Sequence, residues 1–128
     1  MGDIMGISGL ALQVYSAYKD APDDYRNISD EVKSLHIIIN KAAQHFGSAS
    51  LSSSSRREGK EVLKGCRNIL EDLDALIQKY NNLASTGTSQ VLRRIKLRAE
   101  DITTMRARLT TNTVLLNGFI QRLIYLLL

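Results

Sequence analysis

The stretch from Ile4 to Tyr18 contains no charged residue, although 23% of the chain is charged. An uncharged segment of this length has to be shielded from water, so it constrains the fold more than any other. On a helix it has a stripe of small or mildly polar residues and a broader aliphatic surface. The stripe comprises Gly2, Gly6, Gly9, Gln13 and Ser16, and the aliphatic residues are Ile4, Ile7, Leu10, Leu12 and Val14. Such a helix either packs into a protein core or enters a bilayer, where small residues allow close helix packing.

The same segment lacks the features of a permanent anchor or an export signal. As a helix it would span about 22 Å, less than the roughly 30 Å of a hydrocarbon core. Asp3 precedes the apolar run and no basic residue does, unlike a secretory signal. Gly6 occupies the position where a myristoylation motif needs Ser or Thr. With Cys66 as the single cysteine, no internal disulfide forms, and we expect a protein that is cytoplasmic at rest.

Apolar residues at steps of three and four along the whole chain predict an all-α domain. Aromatic residues make up only 5% of the chain and there is one proline, which also favours helices over a sandwich or barrel. The predicted elements are an apolar N-terminal helix over 1–21 and amphipathic helices over 24–46, 56–83 and 89–127. The last is either one long helix or two, with a break near Arg98. We therefore predict one domain over 1–128, a compact bundle of four to five helices in which short loops join near-antiparallel neighbours.

The third predicted helix carries two local signals. Ser55 and Glu58 match a capping box, so this helix is predicted to begin near Arg56. Cys66 lies on its apolar seam and is expected to behave as a small buried hydrophobic residue.

The sequence contains no constellation that supports catalysis or metal binding. His36 and His45 lie on different faces of one predicted helix, and no CxxC or HExxH pattern accompanies them. The string GKEVLKG at 59–65 is not a phosphate-binding loop, because it lacks the GK[ST] ending and follows no strand. Asp72 and Asp74 point to different sides of a helix. We predict that the protein is not an enzyme and uses no cofactor or metal.

Most of the seventeen Lys and Arg residues lie after residue 55 and give the chain its net charge of +4. The densest group, VLRRIKLR at 91–98, places Arg93, Arg94, Lys96 and Arg98 beside aliphatic residues. Such a group attracts anionic lipid at about 1 kcal/mol per basic residue near the membrane surface. Nucleic acid would suit the charge equally, but stacking aromatics and a helix-turn-helix signature are missing, so no specific nucleic acid is expected. A solvated helix face is the third interpretation.

Three strings resemble the N-terminal domain of fungal STAND proteins, the NOD-like receptors of filamentous fungi, in the HeLo-like group. They are GLALQVYSAYKDAPDDYRNISDEVKSL, VLKGCRNILEDLDALIQKY and DITTMRARLTTNTVLLNGF. The resemblance covers roughly residues 4 to 120. It implies a helical bundle similar in outline to those of the mixed-lineage kinase-like pseudokinase and plant resistosomes. It also implies that a nucleotide-binding module and a repeat sensor follow in a longer receptor.

In this family several such domains induce programmed cell death, in heterokaryon incompatibility or innate immunity. The resemblance implies self-association, followed by membrane permeabilisation by an N-terminal apolar segment, here Ile4 to Tyr18. The residues expected to insert into the membrane are Ile4, Ile7, Leu10, Leu12 and Val14. Those expected to allow close helix packing are Gly2, Gly6 and Gly9. Those expected to attract anionic lipid are Arg93, Arg94, Lys96 and Arg98. The alternatives are a non-lytic signalling or oligomerisation adaptor and, more weakly, nucleic-acid binding through the basic helix.

Overall fold

The computed structural model describes residues 4–21, 23–46, 51–84 and 99–127. Four helices account for nearly all of these residues: α1 (Ile4–Lys19), α2 (Asp23–Phe46), α3 (Ser53–Ala84) and α4 (Ala99–Leu127). No strand occurs in the described ranges, so the predicted all-α class is confirmed there. The predicted break near Arg98 lies outside the described residues.

The start of α3 differs from its prediction because a different serine caps the helix. The Ser52 hydroxyl accepts a hydrogen bond from the Ser55 amide at 3.1 Å, which is the N-cap arrangement. Glu58, which the capping box assigned to the helix start, instead forms a salt bridge with Arg122 of α4. The predicted start near Arg56 is therefore three residues too late, since the serine-rich segment offers several equivalent caps.

The helices form a ring in which α2 and α3 each pack against both α1 and α4. Although α2 and α3 are consecutive in the chain, they lie at diagonally opposite corners of this ring and contact each other much less than they contact α1 and α4. The prediction that short loops join neighbouring helices is therefore wrong for this pair, because each of the two helices sits between α1 and α4. α3 and α4 are neighbours, and the segment between them, 85–98, lies outside the described residues.

Contacts between side chains give the helix directions. Gln13 contacts Asp74 near the middle of α3, and the beginning of α1 lines a groove with Leu63, so α1 runs parallel to α3. Arg108 pairs with Asp72 at 2.8 Å, and Arg122 pairs with Glu58, so α4 runs antiparallel to α3. The C-terminal end of α4 therefore lies at the same end of the bundle as the beginning of α1.

One continuous cluster of buried apolar side chains from all four helices forms the core. Its largest fully buried members include Tyr18, Ile28, Leu35, Ile39, Ile69, Leu70, Leu73, Leu109, Leu116 and Phe119. Cys66 belongs to the cluster with no exposed surface, as predicted. Burial raises the pKa of the Cys66 thiol to about 12, which makes it a poor nucleophile in the folded domain.

Two glycines of α3 allow side chains from other helices to approach its backbone. A Cβ placed on Gly59 would lie 2.6 Å from Cζ of Phe46 and 3.1 Å from Cε1 of Phe119. These two rings stack with their centroids 5.4 Å apart. A Cβ on Gly65 would meet the side-chain amide of Asn112. In the described part of the chain, Gly59 and Gly65 of α3 therefore permit close packing between helices.

Candidate functional site

The five residues predicted to insert into membranes divide between two faces of α1. Ile4, Ile7 and Val14 are at most 6% exposed and pack into the core, with Leu10 partly buried against it. Leu12 lies on the opposite face and is 52% exposed. In the folded domain, three of the five are therefore packed against other side chains and would have to leave the core before they could insert into a bilayer.

The small-residue stripe of α1 faces solvent. Gly6 and Gly9 are both exposed, and a Cβ added at Gly9 would meet no atom within 4 Å. Met5, 66% exposed, and Leu12 flank these glycines. Gly2 lies outside the described residues. Within the described chain Gly9 therefore takes no part in close helix packing, and Gly6 is exposed. Their predicted packing role stays a prediction that concerns contacts between molecules.

Two side-chain hydrogen bonds supplement the apolar contacts of α1 upstream of Tyr18. The Ser8 hydroxyl donates to Oδ1 of Asn40 on α2 at 2.8 Å. Nε2 of Gln13 donates to Oδ1 of Asp74 on α3 at 3.5 Å, in an exposed position. Apolar burial therefore provides most of the attachment of α1.

The strongest polar attachment of α1 is at its C-terminal end. The buried Tyr18 hydroxyl donates a hydrogen bond of 2.6 Å to the carbonyl oxygen of Leu73. Burial, reinforced by the nearby Tyr25 and Asp74, raises the pKa of Tyr18 well above its ordinary value. The folded domain therefore holds this phenol in its neutral form.

Replacement of that hydroxyl tests the attachment. We expect Tyr18→Phe to lower the free energy of unfolding by about 0.5–1.5 kcal/mol at pH 7 in urea titrations, since the buried hydrogen bond to the Leu73 carbonyl is lost. The difference in unfolding free energy between wild type and variant should have its full value below pH 10, the approximate pKa of an unfolded tyrosine. Above that pH it should shrink, because ionisation of Tyr18 favours the unfolded wild type. Tyr125→Phe, at a side chain that is 81% exposed, is the control and should change neither quantity. A difference that persists unchanged to pH 11 would contradict the assignment.

A groove of about 440 Å³ runs between the beginning of α1 and the early turns of α3. Its lining comprises Ile4, Ile7, Lys60, Leu63, Lys64, Arg67 and Asn68. Three cationic side chains fall on one edge because Lys60, Lys64 and Arg67 are spaced by four and three residues along α3. Sequence reasoning missed this site, since GKEVLKG was considered only as a nucleotide loop. The detectable signal was a basic stripe at helical spacing.

The four basic residues predicted to attract lipid, Arg93, Arg94, Lys96 and Arg98, lie outside the described residues. The basic residues that follow them along the chain serve the bundle itself. Arg106 donates hydrogen bonds of 3.0 and 2.7 Å to Oε1 of Glu31 on α2, and Arg108 pairs with Asp72. Within the described chain, a group of three basic residues on α3 lies beside the beginning of α1.

The outer face of α4 exposes several large apolar side chains. Val114 is 65% exposed, Leu115 52% and Tyr125 81%. Gly118 lies between them and lines a shallow cavity of about 390 Å³ with Gln121, Arg122 and Tyr125. This face has the apolar character of a contact surface.

The described ranges lack two other kinds of site. No cluster of His, Cys, Asp and Glu there is arranged to hold a metal ion. None of the described helices combines the length and the apolar character needed to cross a membrane.

Comparison of the chain with protein-family models, curated proteins and solved structures finds no match. The resemblance to the HeLo-like domains of fungal NOD-like receptors therefore stays a prediction from the sequence strings.

Proposed function

We propose that this chain is the cell-death effector domain of a fungal NOD-like receptor, acting by oligomerisation and membrane perturbation through α1. The observation that carries the proposal is the character of α1 itself. The helix is uncharged from Ile4 to Tyr18 and is attached mainly by apolar burial. Lipid tails replace apolar contacts at little cost, whereas a charged helix would be strongly disfavoured in a bilayer.

In the proposed mechanism the domain is cytoplasmic at rest, with α1 packed as described. Clustering by the downstream nucleotide-binding and repeat modules of the same longer chain raises the local concentration of domains. Released α1 helices then associate through Gly2, Gly6 and Gly9 while Ile4 and Ile7 meet lipid. The sixteen residues of α1 extend only about 24 Å. Several copies therefore have to act together at the membrane.

A cross-link that holds α1 on α3 tests whether release is required. In Gln13→Cys/Asp74→Cys the two thiols replace side chains that touch at 3.5 Å. A cleavable bis-maleimide should join them without modifying Cys66, which is buried and has a raised pKa. Fused to a multimeriser, the cross-linked domain is expected to release almost no dye from anionic liposomes, and cleavage should restore release.

The matched control is Asp72→Cys/Arg108→Cys, which joins α3 to α4 at a salt bridge of 2.8 Å and leaves α1 free. Dye release from this control should be the same before and after cleavage. Equal release from the α1-linked domain before and after cleavage would refute the mechanism. No release from any clustered form would favour the adaptor function.

That second candidate, a non-lytic signalling or oligomerisation adaptor, also has structural support. The core face of α1 is well packed, and the apolar face of α4 around Val114 and Tyr125 is exposed without any need for α1 to move. In an adaptor, clustered domains would associate through such faces and leave membranes intact.

Nucleic-acid binding is the weakest candidate. It depends on Arg93, Arg94, Lys96 and Arg98, none of which the structure describes. Binding in gel-shift experiments that survives physiological salt would favour it, because non-specific phosphate contacts weaken steeply as salt rises.

A further inference from the structure

The groove between α1 and α3 combines an apolar floor with a cationic edge. Ile4, Ile7 and Leu63 on its floor are each at most 6% exposed, whereas Lys60 and Lys64 on its edge are exposed. Neither lysine forms a salt bridge with a carboxylate in the described part of the chain. Arg67 adds a third positive charge to the lining.

We propose that this groove binds one anionic phospholipid, with the phosphate at Lys60 and Lys64 and the first part of an acyl chain over Ile4, Ile7 and Leu63. The volume of about 440 Å³ lies in the range of small-molecule sites, and lysine is a common phosphate ligand. A free inorganic anion would leave the apolar floor unused, and a neutral lipid would leave the lysines unused. An anionic phospholipid satisfies both parts of the lining.

The position of the groove gives this binding a consequence for α1. Two of the floor residues, Ile4 and Ile7, belong to the segment that attaches the beginning of α1 to α3. A bound acyl chain would therefore cover apolar surface of Ile4 and Ile7 at the junction between α1 and α3. The inference rests on the proposed membrane function, since the lipid bound in this groove would be the one that loosens α1.

The chain contains no tryptophan, so a single one can report on the groove. Asn68→Trp places an indole on the groove lining, and Gln78→Trp, exposed further along α3, is the reference. Dihexanoyl phosphatidylserine, below its micelle concentration, is expected to shift the emission of Asn68→Trp to the blue in a saturable manner. Dihexanoyl phosphatidylcholine and inorganic phosphate should leave it unchanged. The emission of Gln78→Trp should respond to none of the three.

Charge removal completes the test. Lys60→Gln/Lys64→Gln in the Asn68→Trp background should weaken phosphatidylserine binding by about tenfold or more, given the contribution of each basic residue near lipid. Lys19→Gln/Lys79→Gln removes the same charge from exposed sites outside the groove lining and should change the affinity less than about twofold. Equal losses in both variants, a response to phosphate alone, or no response to any lipid would each overturn the site.

The two proposals fail in different ways. Dye release by clustered domains that show no groove binding would leave the membrane function standing and refute the site. Saturable groove binding without dye release would support the site and remove the lytic function.

Discussion

A chain that lacks residues 1–18 is expected to lose its cooperative thermal unfolding transition. The deletion removes Ile4, Ile7, Val14 and Tyr18 from the core, all at most 6% exposed. Each large buried side chain contributes about 1.5–3 kcal/mol, and a domain of this size is stable by only about 5–15 kcal/mol. Circular dichroism should show a broad transition without a defined midpoint.

This result has a direct bearing on functional tests. If the shortened chain is unfolded, its failure to permeabilise liposomes says nothing about insertion, so the reversible cross-link is the sharper experiment. The matched control keeps α1 and changes only its exposed face, as in Met5→Ser/Leu12→Ser. That variant should melt within a few degrees of the wild type, since surface substitutions usually change stability by less than about 0.5 kcal/mol. A sharp transition of the shortened chain near the wild-type midpoint would refute the packing of α1.

The same substitution at two glycines should have opposite effects on stability. Gly59→Ala is expected to lower the free energy of unfolding by about 1–3 kcal/mol, because the new methyl group overlaps the Phe46 ring and crowds Phe119. This cost exceeds the helix-propensity gain of about 1 kcal/mol for replacing Gly by Ala. Gly9→Ala has open space and should raise the stability by up to about 1 kcal/mol.

Urea titrations of both variants and the wild type measure the two effects with a common slope. Because the substitution is identical, the difference in sign isolates the close approach at Gly59 from the intrinsic preference of the helix. Stabilisation by Gly59→Ala would show that Phe46 moves aside freely. Destabilisation by Gly9→Ala would show that α1 contacts another surface through its small-residue stripe.

Helix type and the buried positions followed well from the spacing of apolar residues. In α2 the apolar residues at alternating steps of four and three are all at most 9% exposed: Ile28, Val32, Leu35, Ile39, Ala42 and Phe46. In α3 the same steps through Cys66 predict a face that includes Val62, Leu76 and Tyr80, which are only partly buried. The buried face is rotated slightly from it, since Leu63, Leu70 and Ile77 are buried. Periodicity identifies a face, and the neighbouring helices determine where its centre lies.

The remaining features depend on tertiary packing that periodicity does not encode. Nearly every outward position of α1 is also uncharged, so the pattern could not distinguish its core face from its solvent face. Gly59 and Gly65 read as weak helix formers, although each accommodates a side chain from another helix. The α1–α3 groove joins residues about sixty positions apart, and only the parallel arrangement of these helices brings them together.

The ring order also has a consequence during synthesis of the chain. The Tyr18 hydroxyl finds its acceptor on Leu73, 55 residues later. At translation rates of about 5–20 residues per second, α1 therefore waits roughly 3–11 s before α3 can cover it. During that interval α2 is the only described helix already available to pack on it. Until α3 emerges, the nascent chain exposes an apolar surface at which a chaperone, a membrane or a second nascent chain can compete with correct folding.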